Sequence, residues 1–124
     1  MASLIVDRTK RPAGELLHRF LVFGVPHAFP PVVGPDVTGF ATACMAPPFH
    51  GLIEPAERFV WPSAEGSARG LGLTPLLPRS ANLPERNAAL YELLAIVDAV
   101  RVGQLRERKL AAELLHGRLV GQAS

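Results

Sequence analysis

A chain of 124 residues in which 48% of side chains are apolar and 19% charged fits one domain, residues 1–124, able to bury roughly two thirds of the surface its unfolded form exposes. Thirteen cations against eleven anions leave a net charge of +2, too little for a strong whole-molecule field, so charge does not argue for nucleic-acid binding as the main task. The single cysteine, Cys44, excludes an internal disulfide and fits a reducing, cytoplasmic setting.

The first ten residues, MASLIVDRTK, hold an apolar run too short for a signal peptide or anchor, and no stretch approaches the ~20 apolar residues of a membrane helix. Ser3 to Asp7 is expected to form a short strand. PAGELLHRFLVFG then predicts a helix over about 12–24, opened by Pro12 and stopped by Gly24 with Pro26 beyond. Leu16, Leu17, Phe20, Leu21 and Phe23 recur at helical spacing, so this face is expected to enter the core.

Residues 25–84 carry eleven of the twelve prolines and six of the eleven glycines. Long helices are excluded there, because proline lacks the backbone donor and glycine weakens regular interiors. Short antiparallel strands are expected at Val37 to Met45, Arg58 to Trp61 and Ala68 to Leu73, with turns at Gly34-Pro35, Pro47-Pro48, Pro62-Ser63 and Glu65-Gly66. The last two strands read as a hairpin. The segment 26–51 reads as a stiff strut, since proline restricts the unfolded ensemble and lets an irregular segment hold one shape.

From Pro84 the pattern is helical. Leu90, Leu93, Leu94, Ile96, Val97 and Val100 cover more than half of a helix over about 85–102, interrupted by Glu92 and Asp98, which are expected to be solvated or salt-bridged. Gly103 is a stop or kink. Beyond it, a helix over about 104–118 places Leu110, Leu114 and Leu115 inward and Arg106, Glu107, Arg108, Lys109 and Glu113 outward. The two form an antiparallel pair or one bent helix. The fold class is therefore α+β, three helices packed with short strands and proline-rich loops.

Candidate chemistry is thin. Cys44 with His27, His50 and Asp36 could form a nucleophile and base, the alternative reading as a small enzyme. The run FATACMA instead suits a buried cysteine. Structural zinc sites need four ligands at short paired spacings, whereas the histidines at 18, 27, 50 and 116 are at least nine residues apart; no metal or cofactor is expected. Glu54 and Glu57 flank a loop without a motif. GSARGLGL lacks the lysine and following helix of a phosphate-binding loop. Arg8, Lys10, Arg11, Arg106, Arg108 and Lys109 could contact phosphates weakly, without aromatics beside them for base stacking. Trp61, Tyr91 and Leu94 suit the core, and are also the candidates for a subunit or partner interface.

Taken together, LLHRFLVFGVPHAFP, ATACMAPP, VWP followed by ARGLGLTPLLP, and ALYELLAIVDAVRVGQLRERKLAAELL resemble the C-terminal region of a bacterial family of winged helix-turn-helix transcriptional regulators, some described near toxin and antitoxin gene pairs. The resemblance spans Leu4 to Leu115. It implies a non-enzymatic module that forms a homodimer or binds a protein partner, with LIVD as the end of a preceding wing strand and no room before Leu4 for the helix-turn-helix itself. It carries over no catalytic residue.

Overall fold

The computed structural model describes residues 13–77 and 83–120; the expected strand at Ser3 to Asp7 lies outside them. Helix α1 runs over 13–28, through a π-helical turn at Phe20–Gly24 and a last α-helical turn at Val25–Ala28. Strand β1 spans Val33–Thr42, followed by 3-10 turns at Ala43–Met45 and Pro47–Phe49. Strands β2 (Phe59–Pro62) and β3 (Ala68–Leu73) complete the sheet. A single helical turn α2 (Leu83–Arg86) leads into α3 (Ala88–Val102), and α4 spans Leu105–Val120. The class is α+β. No helix among the described residues is long and apolar enough to cross a membrane.

Helix α1 does not stop at Gly24. The Val25 N–H bonds to the Phe20 carbonyl, five residues back, and this widened turn precedes Pro26, which has no N–H to offer. A π turn at that point lets the helix absorb the proline and close a normal bond from Phe29 N to Val25 O at 2.7 Å. Its orientation also differs from the expectation. Val25 is buried, with Leu21 and Val22 packed on the core, whereas Leu16, Leu17, Phe20 and Phe23 face outward. Apolar residues surround this helix, so spacing alone could not choose the inner face. Gly14 marks it: an added Cβ would lie 2.5 Å from the Leu119 carbonyl oxygen of α4.

The sheet is not a hairpin plus a strand. β1 pairs antiparallel with both β2 and β3, and those two pair parallel with each other, closing a three-stranded barrel. Gly39 is the crossing point, opposite Pro62 on one side and Ala68 on the other. Closure leaves no open sheet edge between these strands. Gly34-Pro35 is not a turn but a register irregularity within β1, as befits a residue unable to donate to a ladder. β1 ends at Thr42 because Ala43 takes a left-handed φ of 55°, a strained choice for a residue with a Cβ. That turn sends Cys44 and Phe49 into the core.

Helix α3 is the central element. Every residue from Leu94 to Val100 is buried. Asn87 caps it, its side chain accepting from Leu90 N at 3.1 Å. At Gly103 the helix ends: its N–H still bonds to the Ala99 carbonyl but its backbone turns extended, φ −73° and ψ 160°, and a Cβ there would approach the Ala99 carbonyl oxygen to 2.5 Å. Arg118 of α4 pairs with Glu92 of α3 at 3.0 Å, so the end of one helix lies beside the start of the other, as in an antiparallel pair. Glu107 is not on the outer face as its neighbours suggest. It is buried, and its Oε1 accepts from Gln104 N at 2.7 Å, the reach-back of a capping box.

Candidate functional site

Three groups of side chains outside the plain apolar core could carry function. The first is centred on Asp98, in the middle of α3 and 1% exposed. Its Oδ2 accepts from the Thr42 hydroxyl at 2.7 Å and from the Trp61 indole N–H at 2.8 Å. Its Oδ1 accepts from Arg101 at 2.9 Å, and the Arg101 Nε donates to the Phe29 carbonyl at 3.0 Å. Beside it, Tyr91 donates to the Ala41 carbonyl at 2.6 Å and sets its ring edge-on to Trp61, centroids 5.6 Å apart. Burial pushes the Asp98 carboxyl up, while Thr42, Trp61 and Arg101 pull it down. One carboxylate thus joins α3 to two strands, and through Arg101 to the end of α1. Nothing in the group is open to a substrate.

The second group surrounds Cys44. The thiol is buried and borders an open cavity of about 330 Å³ that His50, Glu54 and Arg58 also line. Its charged neighbour is the Glu107 carboxylate, which also accepts from Ala56 N at 2.8 Å. His50 is turned to the Met45 carbonyl, 3.1 Å away. Asp36 is paired with Arg69 at 2.9 Å. Among the described residues no histidine hydrogen-bonds Cys44, and no three His, Cys, Asp or Glu side chains could together hold a metal ion. Burial pushes the Cys44 thiol up to about 12, and Glu107 adds to the shift as a like charge and hydrogen-bond acceptor. An activated cysteine requires the opposite, a thiolate stabilised at neutral pH.

The Cys44 shift has a consequence for stability. Tyr91 is also raised to about 12, by burial first and Glu92 second. Both groups hold their protons more tightly folded than unfolded, so their contribution is complete below pH 9 and declines as the unfolded chain begins to ionise. We expect urea midpoints to be steady from pH 7 to about 8.5 and to fall progressively between about 9 and 12, as the unfolded chain ionises before the folded one. Cys44→Ala should delay the onset of that fall by about one pH unit, to where tyrosine ionises in the unfolded chain. A flat profile to pH 11 would contradict the burial of both groups.

The third group is the outer face of α1. Leu16, Phe20 and Phe23 are 69%, 52% and 73% exposed, on the side of the helix away from Leu21, Val22 and Val25. On its inner side His18 Nε2 donates to the Ala112 carbonyl at 2.9 Å, and His116 meets Glu15 at 3.4 Å. These contacts hold α1 on α4.

The residues expected at an interface fall elsewhere. Trp61, Tyr91 and Leu94 form a second core cluster with Ala46 and Ala95, so they offer a partner no surface; large aromatics with satisfied polar atoms belong inside. Arg106, Arg108 and Lys109 are exposed along the start of α4, while Arg8, Lys10 and Arg11 lie outside the described residues. The Asp98 group was missed because its partners are 37 and 56 residues away in the chain. The inward turn of Glu107 was missed as well, although a Glu three residues after Gln104 at a helix start is the spacing of a capping reach-back and could have marked it. Comparison with family models, with curated proteins and with solved structures finds no match to this chain.

Proposed function

We propose that the chain is a non-enzymatic dimerisation or partner-binding module that serves a DNA-binding regulator. The observation that carries this is the set of large apolar side chains, Leu16, Leu17, Phe20 and Phe23, left exposed on α1, since exposed apolar surface gathered on one element marks interaction sites. The groups with chemical potential are committed to structure. Asp98 and Glu107 accept from internal donors, and no buried polar side-chain atom among the described residues lacks a partner. The regulatory context comes from the resemblance to the C-terminal regions of winged helix-turn-helix regulators.

Alkylation separates this reading from an enzyme that uses Cys44. Iodoacetamide at pH 7.5 is expected to modify the native protein at least about 100-fold more slowly than the urea-unfolded chain, because the reactive species is the thiolate. A native thiol that reacts as fast as a free one would overturn the non-enzymatic reading. Light scattering at several concentrations tests the binding half. A chain that stays monomeric and captures no protein from a lysate counts against it.

A further inference from the structure

We infer that the cavity beside Cys44 binds a small α-amino acid with an apolar side chain. The site is independent of the partner-binding reading, since no residue of α1 lines it. Its volume of about 330 Å³ lies at the small end of ligand pockets, which combine an apolar lining with a few fixed polar groups. The inner wall is apolar. Phe49 is fully buried and Cys44 is 4% exposed, Met45 and Ile53 adjoin them in the lining, and a buried thiol acts as a small hydrophobe.

Charge decides the ligand. Glu54 and Arg58 line this one cavity, yet among the described residues no ion pair joins their side chains. A carboxylate and a guanidinium that border a common space without pairing fit a molecule that carries both charges, an ammonium for Glu54 and a carboxylate for Arg58. A simple anion would meet Glu54 as a like charge, and a simple cation would meet Arg58. Both positions are tied to the frame. The Arg58 Nε donates to the Arg69 carbonyl at 3.3 Å, and the Arg58 carbonyl accepts from Leu71 N at 2.8 Å, which leaves the terminal guanidinium nitrogens for a ligand. Two residues past Glu54, Ala56 N donates to Glu107 Oε2 at 2.8 Å. His50, also in the lining, is turned to the Met45 carbonyl. Arg106 borders a neighbouring hollow that shares Gly51, Ile53 and Glu54. The Arg58 side is the binding side because only there do Cys44, Met45 and Phe49 add an apolar wall.

Titration of the full chain with L-leucine, followed by nuclear magnetic resonance, should give saturable shifts at the Gly51, Ile53 and Glu54 amides with a dissociation constant of about 1 mM or tighter. Glu54→Gln and Arg58→Gln should each weaken binding at least about 10-fold, the loss expected of one charge-assisted hydrogen bond, and Arg106→Gln should leave it unchanged. All three side chains are exposed, so the urea midpoint should be retained. Isocaproate and isoamylamine, each lacking one of the two charges, should bind at least about 10-fold more weakly than leucine. Either compound binding as tightly as leucine would overturn the inference, because a single charge would then suffice. A loss confined to Arg106→Gln would overturn it by placing the carboxylate in the neighbouring hollow, and so would the absence of saturable shifts up to about 20 mM leucine. None of these outcomes bears on the role proposed for α1.

Discussion

Asp98→Ala is expected to destabilise the protein by about 3–5 kcal/mol, the usual cost of removing one member of a buried ion pair. Set against the ~5–15 kcal/mol that holds most domains folded, this leaves the chain near its unfolding threshold at 25 °C. The size follows from what the substitution leaves behind. The Arg101 side chain is 4% exposed and would keep its charge with only the Phe29 carbonyl as partner. The Thr42 hydroxyl and the Trp61 indole would each lose their acceptor inside the core, and a buried donor left unpaired costs about 1–3 kcal/mol on its own.

Asp98→Asn should cost less, because its carbonyl can still accept from Thr42 and Trp61 while its amide faces a guanidinium that needs an acceptor. Arg101→Met in the Asp98→Leu background should recover part of the loss, since a matched apolar pair often replaces a buried ion pair at little cost. Urea denaturation of the wild type, Asp98→Leu, Arg101→Met and the double variant forms a double-mutant cycle. A cost below about 1 kcal/mol for Asp98→Ala would mean that water reaches the carboxylate and that it is not the junction of α3 with the strands.

How far the chain could be read depends on the range of the interactions involved. The apolar period from Leu90 to Val100 exposes the central helix because its logic is local: a helix apolar on most sides must be surrounded. Gly103 ends it for an equally local reason. The β2 and β3 spans were readable within a residue, but their pairing was not. Turn residues at 62–66 announce that the chain reverses without saying which strand it then meets, and here both segments meet β1. Asp98 looked like a polar interruption in an apolar run, and only the fold supplies three donors from distant positions. For α1, apolar residues on every side left two candidate inner faces. The one that projects outward is the one the function proposed here uses.

Gly66→Ala should be nearly as damaging as the loss of Asp98, at about 3 kcal/mol or more, for a steric rather than an electrostatic reason. A Cβ on Gly66 would sit 2.1 Å from the carbonyl carbon and oxygen of Gly39, where the link between β2 and β3 crosses β1. Gly39→Ala meets a different obstacle of the same kind, the β2 backbone, with its Cβ 2.1 Å from the Trp61 carbonyl oxygen. These are backbone atoms of strands paired on both flanks, so they cannot swing aside as a side chain would. Moving Trp61 would also pull its indole from Asp98. Gly34→Ala is the control: it lies in the same strand, but its nearest contact is 3.7 Å away, and a change within about 0.5 kcal/mol is expected for a position free of such conflicts. Trp61 is the only tryptophan and fully buried, so its fluorescence reports barrel opening directly during denaturation. A Gly66→Ala midpoint equal to that of Gly34→Ala would show that the link does not cross at Gly39 and that the three strands do not close.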